Sequence, residues 1–474
     1  MRFNGARKEV VDERGMPVEE IIYRSAASIA EMIRNRRLSS EEVARSFLDR
    51  IEKVNPKLNA VVQLVRDRAL AEARDADNGM LKGDVKGPLH GVPITVKDSL
   101  DAAGIISAGG TKGRSTFVPS QDSTVVARLR RAGAIILGKT NTPELTFSFE
   151  TDNAVYGRTN NPYDLSLSPG GSSGGSAAIV ASGGSPLDIG SDTGGSIRVP
   201  SHFCGISCIK PTSGRVPRTG NIVPFGLGPL DSLSTIGPMA RYVEDLSLCL
   251  AIISGIDWKD PAIVPMPLGN PGAVELRRLR VAFFTDNGIR TPTAETILSV
   301  EKTASALSGV VMNVKESRPD AIDRSLDLFY RLWMAYAGPW EQKLLLEAGT
   351  IECIEPSEQG KTVPAMALAD LSEDLDRFRS DMLSFMKEYD VILCPVNAYP
   401  AMPHDSWAKN YPAYSYTMTF NLTGWPAAVV RAGTSPEGLP IGVQIVARPW
   451  NEHEALALAQ YIEEALNGWP RPLL

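Results

Sequence analysis

Two glycine- and serine-rich turns constrain this chain more than any other stretch. The first, at 168–176, reads Ser-Pro-Gly-Gly-Ser-Ser-Gly-Gly-Ser, and the second, at 190–198, reads Gly-Ser-Asp-Thr-Gly-Gly-Ser-Ile-Arg, with an apolar, helix-like run between them. Glycine is costly in backbone entropy, so this density marks places that need positive φ or a close backbone approach. Serines set among such glycines expose hydroxyls and leave free N–H groups converging on one spot, which is how a nucleophile and an oxyanion site are built. Upstream, the strand-like Gly-Val-Pro-Ile-Thr-Val-Lys-Asp at 91–98 carries Lys97 near its end.

Around these turns, helical and strand patterns alternate. Residues 25–54 carry apolar positions at helical spacing, and Ser39 followed by Glu42 reads as a capping box opening a second helix. Further helices are expected to about 76 and at 123–132, 173–181, 243–254, 293–307, 320–347, 366–388 and 452–466. Strands are expected at 60–62, 91–98, 134–137, 187–189, 206–209, 280–284, 310–314, 390–393, 427–431 and 442–446. Residues 1–20 read as a polar surface arm, and the proline- and glycine-rich 255–272 as a surface excursion. Alternation of this kind argues an α/β fold with a mostly parallel or mixed sheet, and the absence of a linker or repeat argues one domain over 1–474.

Composition excludes several classes. With 474 residues and 43% hydrophobic content there is ample material for a large core. Net charge is −6 with no long basic run, so nucleic acid is not expected as a partner. No membrane span is expected either, because no apolar run approaches the roughly 18 residues one needs. Five cysteines (Cys204, Cys208, Cys249, Cys353, Cys394) form no C-x-x-C pair, and the start of the chain lacks the apolar stretch of a secretory signal. Buried free thiols in a reducing cytoplasm are the expectation.

Two motif matches fit their context poorly. Gly133 to Thr140 satisfies the P-loop pattern, but its middle residues are Ala-Ile-Ile-Leu, which prefer a strand core to a phosphate-cradling turn. Nucleotide binding is therefore the weakest alternative. Ser172 and Ser173 both satisfy G-x-S-x-G, yet the preceding Asn-Pro-Tyr-Asp-Leu-Ser-Leu-Ser-Pro is no buried strand. That chemistry also needs a histidine; of His90, His202, His404 and His453, the last falls late enough in chain order to serve, which leaves this reading open as the poorer fit.

Taken together, the Lys97 strand, the two turns, Pro200-Ser201-His202-Phe203-Cys204-Gly205, Lys210-Pro211-Thr212 and Gly237-Pro238-Met239-Ala240-Arg241 resemble the amidase signature family. The resemblance covers 25–255, returns at Leu422 to Ala427 and Gly438 to Gln444, and leaves 256–400 as a variable substrate-pocket region. It implies one large domain whose central twisted mixed sheet, of about 11 strands including those of 401–474, is flanked by helices. It also implies a Ser–Ser–Lys triad. Ser196 would be the nucleophile, Ser172 the bridging acid/base after a cis peptide bond, and Lys97 the base. Backbone N–H groups of Thr193, Gly194, Gly195 and Ser196 would form the oxyanion hole. Ser173 would support the site, while Asp192 and Arg198 could support it or form a structural ion pair.

The implied reaction is hydrolysis of an amide C–N bond through an acyl-serine, with anilides, carbamates (urethanes) and esters open to the same chemistry. No metal or organic cofactor is implied. The implied partner is a small-molecule amide, with a homodimer as one allowed assembly. The alternative within the same motifs is the glutamine-hydrolysing chain of a tRNA-dependent amidotransferase, which releases ammonia for a partner. Lysine at its ordinary pKa is protonated near neutrality, so Lys97 must be desolvated to accept a proton. Phe329, Trp333, Tyr336 and Trp340 follow helical spacing and read either as core or as a substrate wall. Cys204, Cys208 and His202 read as core.

Overall fold

In the computed structural model, helix α1 (Ala26–Arg34) starts where the Ser25 hydroxyl accepts the Ser28 N–H. Helix α2 (Ser40–Leu58) starts at the expected capping box, with Glu42 reaching back to the Ser39 N–H at 2.7 Å. Strand β1 (Val61–Leu64), helix α3 (Arg66–Lys82), β2 (Pro93–Lys97), α4 (Thr124–Arg131) and β3 (Ile135–Thr140) follow. Next come α5 (Gly174–Ala181), β4 (Leu187–Asp192), α6 (Arg198–Cys204), β5 (Ser207–Lys210), β6 (Thr235–Ala240) and α7 (Val243–Ile253). The variable region supplies β7 (Arg280–Phe283), α8 (Ala294–Leu307), β8 (Asn313–Glu316), α9 (Ser325–Leu332), α10 (Gly338–Glu347) and α11 (Ala365–Phe385). The chain ends with β9 (Val391–Pro395), α12 (Ser415–Leu422), β10 (Ala427–Thr434), β11 (Pro440–Ala447) and α13 (Glu452–Ala465). The structure describes residues 21–223, 225, 228–347, 363–466 and 470–474; the expected arm at 1–20 and Cys353 lie outside these.

Among the described residues, eleven strands divide between two sheets. Three form a small sheet in the order β1-β3-β2, with β2 parallel to β3 and β1 antiparallel. Eight form the large mixed sheet β4-β6-β5-β10-β11-β9-β7-β8, antiparallel from β4 to β9 and parallel from there to β8. Lys97 closes β2 and Asp192 closes β4, so strand ends from both sheets deliver the motif residues. Helix α5 is buried on all eight residues.

Five elements differ from the sequence expectation. Strand β6 is absent from that expectation, because Gly237 and Pro238 read as breakers. Pro238 nevertheless sits opposite Ile189 in an interior strand, and a Cβ at Gly237 would lie 2.2 Å from the Ile209 carbonyl oxygen. Strand β8 starts three residues later than expected, the apolar Val310-Val311-Met312 drawing the reading forward. Helices α6 and α12 carry no amphipathic pattern, since all their residues are buried. The helix expected at 320–347 is interrupted by a π-helical turn, Trp333–Ala337.

One apolar cluster links Phe47 on α2, Val96, Ile189, Val429 and Ile462 on α13, so both ends of the chain share a core. A second gathers Phe203, Phe329, Phe378, Tyr414 and Phe420. Burial of each such side chain stabilises the fold by about 1.5–3 kcal/mol. Among the described residues no helix is long and apolar enough to cross a membrane.

Candidate active site

Every residue of β2 is buried, and Lys97 is 0% exposed. Its Nζ donates to three hydroxyls: Ser172 Oγ at 2.6 Å, Ser173 Oγ at 2.9 Å and Ser191 Oγ at 3.0 Å. Burial pulls the ammonium down to a pKa of about 7, against the opposing pull of the Asp192 and Asp188 charges. A lysine so placed is readily neutral near physiological pH. The expected partner Ser172 and the expected support Ser173 both stand beside Lys97. Ser191 escapes the sequence reading, hidden as a strand residue beside the second glycine turn.

The Gly171–Ser172 peptide bond is cis, as the resemblance implies. The Ser173 N–H donates to the Ser196 carbonyl at 3.1 Å and so ties the first turn to the second. Ser196 is 8% exposed, more open than Ser172 or Ser173. Its hydroxyl is not among the three that Lys97 holds. The Ser176 hydroxyl lies 2.9 Å from the Thr140 hydroxyl.

The turn at 193–196 is shaped by a buried ion pair. Arg198 grips Asp192 with two N–H groups, Nη2 to Oδ1 at 2.9 Å and Nε to Oδ2 at 3.0 Å. Asn421 donates to the same carboxylate at 2.8 Å, and Arg198 also reaches the Thr417 carbonyl and Gln444. Burial alone would raise the Asp192 carboxyl, but the Arg198 guanidinium overrules it and holds the group far below the usual carboxylate range. Asp192 further accepts the Gly195 N–H at 2.9 Å. This corrects one expectation: the Gly195 N–H is engaged inside the turn, which leaves Thr193, Gly194 and Ser196 as the expected oxyanion donors. Gly195 itself has φ 131°, and a Cβ there would sit 2.3 Å from Thr417 Oγ1, which donates to the Gly194 carbonyl at 2.7 Å. Only glycine fits. Asp192 and Arg198 are therefore both a structural ion pair and the frame of this turn.

Aromatic rings begin directly at Gly194, where an added Cβ would meet Phe149 at 3.2 Å and Phe329 at 3.3 Å. Phe329 stacks on Trp333 at 6.0 Å, and Phe147 meets Trp333 and Trp340 edge-on at 5.4 and 5.9 Å. Phe149 stacks on Tyr414 at 4.1 Å. The buried Phe329 is core, whereas Trp333, Tyr336 and Trp340 are half-buried and extend the row outward from the turn. Trp333 opens the π-helical turn, a device found often at functional sites. Phe147 and Phe149 escape the sequence reading because isolated loop aromatics carry no periodicity.

The literal P-loop and two of the four histidines have structural roles. The literal P-loop folds as β3, with Lys139 fully buried and donating to the Leu100 carbonyl and to Ser107. His90 and His202 bond main-chain atoms, and burial takes His202 down to a pKa of about 4. Cys204, Cys208 and His202 are buried, as expected of core.

A family model described as Amidase matches residues 42–456. A fatty-acid amide hydrolase 2-B from Danio rerio is 35% identical over 94% of this chain and 90% of its own length. The A chain of a glutamyl-tRNA(Gln) amidotransferase from Carboxydothermus hydrogenoformans is 33% identical over 94% of this chain and 98% of its own. A solved bacterial aryl acylamidase of the amidase signature enzymes superposes with a TM-score of 0.81 at 27% identity, covering 94% of this chain and 97% of that one.

Proposed function

This chain belongs to the amidase signature family of hydrolases acting on amides, and from that premise we propose that it cleaves the C–N bond of an amide bearing an apolar or aryl group through an acyl-Ser196 intermediate. The observation that carries this is the fully buried Lys97 amine held by three hydroxyls and depressed to a pKa of about 7.

Neutral Lys97 takes the Ser172 proton while Ser172 takes that of Ser196, and the Ser196 oxygen attacks the amide carbonyl carbon. The oxyanion collects N–H donors from Thr193, Gly194 and Ser196, each such donor typically contributing about 10²–10³ in rate. Collapse breaks the C–N bond, and the proton now on Lys97 returns through Ser172 to the leaving nitrogen. Water then attacks the acyl-serine by the same proton route reversed, releasing the acid and restoring the Ser196 hydroxyl. Ser-Lys pairs perform this base role elsewhere without histidine.

The aromatic row starting at Gly194 supports an apolar or aryl substrate, since concave sites of this lining take apolar groups and orient them by a few polar ones. Anilides, carbamates and small esters pass through the same tetrahedral oxyanion and belong to the expected substrates. The enzyme is read as a cytoplasmic one whose partner is the small-molecule substrate. The second reading, the glutamine-hydrolysing chain of a tRNA-dependent amidotransferase, has the 33% identical relative in its favour.

A panel of aliphatic amides, anilides, carbamates and glutamine, offered to the isolated chain, tests both readings. Turnover of an anilide or carbamate without any partner chain supports the hydrolase. Inertness to these, with glutamine cleavage only when partner chains are added, supports the amidotransferase.

A further inference from the structure

Lys97 and Thr140 close their strands as register partners, so their side chains leave the small sheet on one face. The Thr140 hydroxyl donates to Asp188 Oδ2 at 3.1 Å, and its oxygen therefore accepts from Ser176. Asp188 thus stands one side chain from the base, on β4, the strand that also carries Ser191 and Asp192. It is 0% exposed, and its Oδ1 has no hydrogen-bond partner of good geometry. The hydroxyls of Ser176 and of Thr95, two residues before Lys97 on the same face of β2, and the Ile189 N–H lie close enough to soften the charge. Neutral donors soften a buried carboxylate, but it stays costly unless an opposite charge lies near.

The other buried charges nearby already have partners. Asp192 is gripped by Arg198. Lys210 donates to the Pro211 carbonyl, and the charges it faces are Arg198, Asp192 and Glu452. Lys139 follows the opposite face of β3 and stands 3.6 Å from Asp98. Among the described residues Lys97 is the cation left to Asp188, and none of their carboxylates hydrogen-bonds the amine, whose three bonds all go to hydroxyls.

We propose that Asp188 is the countercharge of Lys97, a positioning residue that sets the pH at which the base becomes neutral. This rests on the reading of Lys97 as base. Burial pulls the amine down while the Asp192 charge, itself paired with Arg198, and then the Asp188 charge hold it up, so that together they leave it near neutrality rather than far below. Burial likewise raises Asp188, to about 6, which keeps it charged where the enzyme would work.

The test is the rate at which a serine-directed phosphonate labels Ser196 as a function of pH, in the wild type, Asp188→Asn and Thr140→Val. Removing the negative charge disfavours the ammonium, so the amine is neutral at lower pH. The acid limb of Asp188→Asn should therefore move down by about one pH unit or more, the size expected for an opposite charge at close range. Thr140→Val takes away the hydroxyl that stabilises the carboxylate; Asp188 then protonates earlier, and the limb moves the same way by less. If Asp188→Asn fails to fold by circular dichroism, Thr140→Val alone decides. A wild-type limb that disappears in Lys97→Ala but stays in place in the folded variants overturns the countercharge role and leaves the base intact. A wild-type profile without an acid limb overturns both.

Discussion

The Lys97 amine stands 2.6 Å from the Ser172 hydroxyl, the shortest of its three bonds, in a pocket where neither residue is more than 1% exposed. A proton can cross that distance without solvent. Ser172→Ala interrupts the crossing but leaves Ser196 and its N–H donors in place. The expected loss in kcat/KM is about 10²–10⁴, the usual contribution of positioned acid–base catalysis, with KM little changed. Steady-state kinetics on an anilide check it; a drop in affinity at constant kcat would contradict it.

Arg198→Ala leaves Asp192 buried without its countercharge. Breaking such a pair by removing one partner costs about 3–5 kcal/mol, read from urea unfolding. Because Arg198 holds the Asp192 carboxyl below the usual carboxylate range, the pair's contribution is present above the ordinary carboxylate pKa and is lost only as pH falls through that lowered value. In the wild type, stability from this pair should survive mild acid.

Trp333→Ala removes a half-buried ring that stacks on Phe329 and meets Phe147 edge-on. If the row is a substrate wall, kcat/KM for an anilide falls by about 2–10-fold, the equivalent of one aromatic contact of ~0.5–1.5 kcal/mol. Turnover of acetamide stays close to wild type. Equal losses on both substrates would return the ring to a purely structural role.

Ser39→Ala deletes the capping box of α2 without touching the site. It should cost about 1 kcal/mol in thermal or urea unfolding and leave kcat unchanged.

These cases mark what the chain discloses before folding. Lys97, Ser172, Ser173, Asp192 and Ser196 stand out in the sequence because glycine turns and a strand-terminal lysine are local signals, while the roles given to them rest on the resemblance to a family. The capping box at Ser39 is equally local. Strand β6 is not legible, since Gly237 and Pro238 argue against a strand until a neighbouring carbonyl is seen to need the space. Helix α12 is hidden for the opposite reason: with all eight residues buried it has no polar face to reveal a period. Ser191, Asp188 and Phe149 reach the site only through contacts between β2, β3, β4 and the loop at 141–150, which no sequence spacing encodes. The motif's glycines suggest the Gly195 N–H as an oxyanion donor, whereas the fold gives it to Asp192.

The most direct test of Lys97 as an uncharged base is the pH dependence of kcat/KM for one good amide substrate, measured on the wild type and on Lys97→Ala. A base depressed by burial to about 7 predicts a rate that rises as pH passes that value and then levels, with the rise and most of the activity gone in the variant. A wild-type rate indifferent to pH, or a variant that keeps the same rising limb, would contradict it.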